Sequence, residues 1–454
     1  MVTRAITRYK QFKYEFRKES KVVWRKHPIL LSAVIIWGVT SLSYLLYLGY
    51  AQRTRVAPTL HSYPPEVANI LRRAVFFTEI RLDPSAALEE YRNALKVAIE
   101  MGLHPFSDEV VGIKIQVASM LEKAGLIGTS IEVLERTKNE SLDWIEKSTK
   151  MASAPPEVDY EELARKRKTA LAEATAAAKG EEVTLPKSSD GTIEVTDEEV
   201  EYIRKRAKEF FKFEERQRDR MLKKVIGIQL KLGELYMNDH IQDDQKSEAA
   251  LVAAVELCLK ELHRRQTLGL PVGIHESADP EAWLNLTEMA TAFVELGSVY
   301  NGRGKHTLAL PLYLRALDFI REEEASPTCK QVELLNDISS AMAGQAQLLP
   351  VGKQQQKKKQ QSEAIPSRED VIKAAKQWAQ KALDVASTVK PPIRDEICDS
   401  SCVAATYNLG ELAEMAGQQG EATKRYREAE SLAHSIGFEE GIIMAQTALE
   451  RMRS

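Results

Sequence analysis

The chain has 454 residues, enough for two or three ordinary domains or for one extended array. Charged residues make up 28 % and aromatics 7 %, with Ala, Leu, Glu and Lys abundant, so the composition favours helix and an all-α chain is expected. The net charge of −3 hides a split: residues 1–27 hold nine Lys/Arg against Glu15 and Glu19, a net +7, which leaves −10 on the rest and argues against a nucleic-acid-binding body.

The basic N-terminal segment is taken as residues 1–28. From Ile29 to Ala51 no residue is charged, and these 23 residues make about 34 Å of helix at about 1.5 Å per residue. A single transmembrane helix over 29–51 is expected, because a hydrocarbon core is about 30 Å thick. Trp24 and Tyr50 lie near the two expected interfaces. A cleaved secretory signal is the alternative, but its apolar part would be shorter, about 7–15 residues. Nine basic residues precede the span and only Arg53 and Arg55 follow closely, so the N-terminus is expected on the cytoplasmic or matrix side and the body across the membrane. Residues 1–18 are Arg/Lys-rich with a first acid only at Glu15, similar to a mitochondrial targeting segment; a basic flank of a secretory-pathway protein is the other reading.

The body shows an internal pattern of paired helices. Near its start, over 64–150, Ala74 precedes Ala87, Tyr91 and Ala94, and Ala118 and Leu121 precede Ser130 and Leu134. Residues 151–195 are read as an insertion, a mobile charged helix followed by a Ser/Gly/Pro linker. Residues 196–454 return to the pattern. A capping box at Thr196–Glu199 opens a long helix. Leu232, Gly233 and Tyr236 follow, with a second helix from about Lys246 after a longer turn. The best unit carries Phe293, Leu296, Gly297 and Tyr300, then Ala309, Tyr313 and Ala316. A split unit places one helix at Val332–Gln347 and the next at Glu369–Ser387, with Ala374, Trp378 and Ala382, around a Gln/Lys-rich loop at 350–367 expected to be disordered. The last unit carries Leu409, Gly410, Ala422, Tyr426 and Ala429, and a helix at Glu439–Met452 is expected to cap the stack.

These spacings resemble the 34-residue tetratricopeptide repeat (TPR), two antiparallel helices with Leu-Gly at positions 7–8, Tyr at 11, Ala at 20, an aromatic at 24 and Ala at 27. The resemblance implies an α-solenoid whose first helices build a concave binding face. Positions 2, 5, 9 and 12 point into that face: Gly227, Leu230, Glu234 and Met237, then Thr291, Val294, Ser298 and Asn301, then Ala404, Tyr407, Glu411 and Glu414. Mixed apolar and acidic groups suit extended segments carrying apolar side chains and some positive charge. The competing reading has Leu230, Val294 and Tyr407 packing against neighbouring repeats. Asn408 falls on one position of the carboxylate clamp used by some TPR co-chaperones, but its companions are missing.

No phosphate-binding, dinucleotide, metalloprotease or serine-hydrolase motif occurs, and the eight His stand singly. No catalytic residue, cofactor or metal is expected. Cys258 reads as a core residue; Cys398 and Cys402, four apart without a second ligand pair, argue against zinc and leave a redox or disulfide role open. The whole layout, from the basic N-terminus and single span to the TPR body and the ending GFEEGIIMAQTALERM, resembles fungal mitochondrial inner-membrane TPR adaptors of the i-AAA protease. That resemblance implies a matrix N-terminus, a body in the intermembrane space, and a partner protease to which unfolded or misfolded clients are handed. An import receptor facing the cytosol and a lumenal scaffold of the secretory pathway, with sequons at Asn139 and Asn285, are the other classes.

Overall fold

The computed structural model describes residues 28–51, 60, 62–153, 159–179, 195–272, 283–350 and 367–453; the basic segment 1–27, most of the linker before Thr196 and the 351–366 loop lie outside them. Among the described residues every regular element is helical. The chain divides into two units, Met1–His104 and Pro105–Ser454.

In the first unit, α1 spans Pro28–Ala51, bracketing the expected span, and carries no acid in its first turn and no base in its last. Its described side chains, residues 36–47 and Tyr50, are almost all exposed. Among the described residues no helix is long and apolar enough to cross a membrane, where about 20 apolar residues are needed. A hairpin follows, α2 (Pro65–Phe76) and α3 (Pro84–Glu100), with Ala74, Ala87, Tyr91 and Ala94 all buried as the spacing requires. A π-turn at Phe77–Arg81 and the left-handed Leu82 (φ 54°) reverse the chain, and the Asp83 carboxylate caps α3 by accepting from the Ala86 amide.

The second unit is a succession of antiparallel hairpins. They are α4 (Asp108–Lys123) with α5 (Ile127–Ser153), α7 (Asp197–Tyr236) with α8 (Asp244–Leu268), and α9 (Leu286–Gly302) with α10 (His306–Glu323). Then come α11 (Cys329–Leu348) with α12 (Arg368–Thr388) and α13 (Glu396–Met415) with α14 (Gln419–Ile436), closed by α15 (Glu439–Arg451). Polar N-caps set most starts: Ser107, Thr196, Asp243, Asn285, Ser367 and Asp395 each accept the backbone N–H three residues on, and the expected box at Thr196–Glu199 is complete.

One contact recurs in each hairpin. Position 8 of the first helix faces position 24 of the second, and the two side chains divide a fixed space. A Cβ on Gly297 would lie 2.7 Å from the Tyr313 ring, and one on Gly410 would lie 2.7 Å from the Tyr426 ring. A Cβ on Gly233 would lie 2.7 Å from Leu251. Leu251 stands two residues later than the pattern requires because the turn before α8 is two residues longer. In α4–α5 the corresponding pair is Ala118 and Leu134, both buried in one cluster. Where position 8 is larger still, as Ser339, position 24 shrinks to Ala379.

That last pair corrects the expected register of the split unit by one residue. Ala375, Ala379 and Ala382 are fully buried, while Ala374 and Trp378 are only half-buried. The Ser339 hydroxyl donates to the Ala375 carbonyl at 2.9 Å, the link that Ser130 makes to Ala118 (2.8 Å) and Ser247 to Gly233 (2.9 Å) in the other direction. The turns are also alike. Gly125, Gly304 and Gly417 hold φ between 70° and 76°, a conformation glycine reaches without strain, and Gln242 (φ 48°) fills the equivalent place in the longer turn.

The insertion is a structural partner. Residues Tyr160–Lys179 form α6, which runs antiparallel to the first half of α7 through Lys168–Glu199 (3.0 Å) and Arg167 over the Tyr202 ring (4.3 Å). A buried network of Asp219, Glu261, Arg264 and Arg265, with Arg265 stacked 4.9 Å from the Trp283 ring, ties α7 to α8.

The shared space at positions 8 and 24 makes a sharp prediction. Gly297→Ala and Gly410→Ala each force a Cβ into a buried tyrosine ring and should cost about 1–3 kcal/mol. Gly227→Ala, whose Cβ would meet nothing within 4 Å, should be neutral or stabilise by about 0.5–1 kcal/mol. Urea melts of the three variants check this.

Candidate binding groove

The first helices of successive hairpins bring a polar cleft together between α9 and α11. Its volume is about 210 Å³, and Thr291, Val294, Glu295, Lys330, Glu333 and Asp337 line it. The periodicity explains the placing. Thr291 and Glu295 are one turn apart on α9, and Glu333 and Asp337 are one turn apart on α11, so each helix points two groups at the same gap.

Three carboxylates converge there, each with its proton affinity raised first by burial. Burial lifts Asp337 to about 7, with Glu333 adding its repulsion. Burial likewise lifts Glu333, assisted by Asp395 and opposed by Lys330 of the same cleft, and lifts Glu295, assisted by Glu234 and Glu333. Behind them the Tyr313 hydroxyl is held protonated, chiefly by burial and then by Asp337. A surface of this kind attracts a cation, and the apolar Val294 and the Ile320 and Leu334 side chains beside it favour one borne on an apolar segment.

The expected groove residues divide into two groups. Val294 lines the cleft and Ser298 lies one turn on, exposed. Glu234 and Met237 are exposed on α7, where Lys231 bridges Glu234 and Glu122 at 2.8 Å each, and Arg303 approaches the Met237 sulfur at 3.9 Å. Leu230 and Val294 are half-buried and pack on the main core, and Val294 keeps part of its side chain on the cleft. Asn301 is bonded to His306 Nδ1 at 2.7 Å. Tyr407 lies 5.2 Å from the Tyr426 ring, and burial raises Glu411. Glu414 accepts from the Tyr426 hydroxyl (2.7 Å) and pairs with Arg451 of the last helix (2.8 Å), so α15 closes this end of the face. Asn408 donates to Asn336 at 2.8 Å, an inter-repeat link and not a clamp.

Glu295, Glu333 and Asp337 were not among the expected residues. They sit at positions 6 and 2, and α11 lacks the Leu-Gly signature that would have set its register. The signal present in the sequence is the acidic pair four apart, Glu333 and Asp337.

The cysteines also differ from the spacing argument. Cys398 is bonded to Cys329, 69 residues away, and not to Cys402. This disulfide joins the N-terminal ends of α11 and α13, the floor on which Asp395 caps α13. With both sulfurs bonded to each other, Cys329, Asp395 and Cys398 offer no thiolate to a metal in this form. Cys402 is half-buried, and burial pushes its thiol up against the opposing pull of Arg394.

No protein-family model matches the chain. A TPR repeat-containing protein of Schizosaccharomyces pombe is 28 % identical over 160 residues, 35 % of this chain and 40 % of that protein, so the match spans well under half of the relative. Among solved structures, BtubC of P. vanneervenii is 14 % identical, covering 67 % of this chain and 92 % of its own, with a TM-score of 0.33. A putative kinesin light chain from P. anserina with nearly identical TPR-like repeats is 12 % identical, covering 73 % and 98 %, with a TM-score of 0.36. Scores this low carry no argument. The hairpin register and the S. pombe relative support a TPR-type repeat protein, a scaffold suited to binding other proteins.

Asp337 makes the groove sensitive to pH. Its folded value is near 7 and its ordinary value is 3.8, so between these the folded protein keeps a proton that the unfolded chain gives up. Stability therefore falls as pH rises through that window and stays lowered above it. Asp337→Asn should match the parent near pH 4 and be more stable by about 1–3 kcal/mol near pH 8. Thermal melts across this range test it, and an equal gain at both ends would contradict the buried-acid account.

Proposed function

We propose that this chain is a non-enzymatic, membrane-anchored TPR adaptor that holds unfolded or misfolded protein segments and presents them to the mitochondrial i-AAA protease. The observation that carries the binding half is the acidic cleft with Val294 between α9 and α11. It suits an extended segment that places a Lys or Arg among Glu295, Glu333 and Asp337 and an apolar side chain against Val294. Membrane anchoring by 29–51 is supported by the uncharged run within α1 and by the charge asymmetry of its flanks. The protease partner, the inner-membrane location and the matrix-facing N-terminus are what the resemblance to the fungal adaptors implies.

The Cys329–Cys398 disulfide bears on compartment. Structural disulfides persist in oxidising spaces and are rare in the cytosol. It favours a body in the intermembrane space or a secretory lumen over a cytosolic import receptor.

Two experiments test the proposal. Glu295→Lys with Asp337→Lys should weaken capture of a basic, apolar, unfolded segment by at least about tenfold while leaving helical circular dichroism intact. Undiminished capture by the folded double variant would remove the cleft from the account. With a tag at the C-terminus, the body should resist added protease in intact mitochondria and be cleaved once the outer membrane is opened. Cleavage in intact organelles would replace the adaptor with a surface receptor.

A further inference from the structure

The α6–α7 hairpin carries a surface that the groove does not use. Ile203, Ala207, Phe210 and Phe211 recur at helical spacing along one face of α7, and Phe213 lies beside them. With Leu163 of α6 they line an open, apolar depression of about 600 Å³. The three phenylalanines are 58 %, 41 % and 45 % exposed, a density of solvent-facing aromatic rings that the rest of the second unit does not repeat among its described residues. An exposed apolar patch of this kind marks a binding surface.

The charge around the patch identifies its occupant. Over residues 203–213 five bases, Arg204, Lys205, Arg206, Lys208 and Lys212, stand against the single acid Glu209, a net +4. The chain outside residues 1–27 is net negative, so this is a local reversal of sign. Arg204 and Arg206 fall on the two flanks of the aromatic stripe, and Arg206 lines the depression itself together with the single acid Glu209. Lys205, Lys208 and Lys212 follow one another at helical spacing on the reverse face, exposed to solvent. Aromatic rings on one stripe with cationic side chains on its flanks are the arrangement by which a helix lies in a lipid headgroup layer. The rings enter the acyl boundary, and the long basic side chains reach back to phosphates.

We propose that the Phe210–Phe213 patch of α7 docks on an anionic phospholipid surface, holding the α6–α7 hairpin against the bilayer. This contact is separate from any span at 29–51, since it places a residue of the second unit at the headgroup depth. It requires negative lipid, because residues 203–213 carry a net +4 even with Glu209 at the depression, and it requires the rings, because Lys and Arg alone give only surface attraction.

A photoreactive residue reads it directly. The full chain carrying benzoylphenylalanine in place of Phe211 is reconstituted into vesicles of one-third phosphatidylglycerol in phosphatidylcholine and irradiated. A phospholipid adduct is expected at Phe211, falling by at least about tenfold in pure phosphatidylcholine and in the Arg204→Glu, Arg206→Glu, Lys208→Glu variant. The same label at Leu42, in α1, reports insertion of that helix independently. Loss of the adduct at Leu42 with retention at Phe211 would therefore count against the span and not against this patch. Absence of a lipid adduct at Phe211 in the anionic vesicles would overturn the proposal. So would an adduct to a second copy of the chain in its place, which would make the patch a protein interface.

Discussion

The repeat body depends on one steric constraint, the space shared by position 8 of a first helix and position 24 of the second. Two helices joined by a short turn can lie close only if one side gives up its side chain where the other inserts one. Gly297 with Tyr313 and Gly410 with Tyr426 meet this with the extreme choice, no side chain against a ring. Gly233 with Leu251, Ala118 with Leu134 and Ser339 with Ala379 meet it by other divisions of the same volume. Interiors pack at crystal-like density, so the sum of the two residues is held while either one alone varies. The hydroxyl links at Ser130, Ser247 and Ser339 then satisfy a buried polar group across the same seam.

The groove follows from that seam. With each hairpin fixed by its inner contact, the outward positions of the first helices are free to carry chemistry. Glu295, Glu333 and Asp337 occupy them between α9 and α11, at a cost to stability that repulsion and burial make explicit. Acids that disfavour one another in the free protein are relieved when a cation arrives, so binding and stability are coupled through the same groups. At the far end α15 closes the face by pairing Arg451 with Glu414, which leaves the α9–α11 cleft as the better-placed site for a segment.

Much of this was legible in the sequence, and the failures have particular causes. Units with Gly at position 8 and an aromatic at 24 announce their own register, and in the two that have both, Gly297 meets Tyr313 and Gly410 meets Tyr426. The split unit was misread by one residue because Trp378 looked like the position-24 aromatic, while the buried residue there is Ala379. Its partner Ser339 gives no Leu-Gly signal, so the register of α11, and with it the acidic cleft, went unseen. The insertion looked solvated because α6 is rich in Ala, Glu and Lys; its contacts with α7 are ion pairs and a cation–π stack that composition does not report. The Cys329–Cys398 bond crosses a whole hairpin, a distance over which spacing rules are silent. The basic segment 1–27 and the 351–366 loop lie outside the described residues, and the span expected over 29–51 has no counterpart among the described helices long and apolar enough to cross a membrane.

The central claim is that the cleft between α9 and α11 is where an unfolded segment is held. Amide hydrogen exchange of the full chain, with and without a basic, apolar peptide, addresses it most directly. Added protection concentrated on α9 and α11 around Thr291–Glu295 and Glu333–Asp337 is the result this account predicts. Protection confined to the outer helices α10 and α12, with α9 and α11 unchanged, would contradict it.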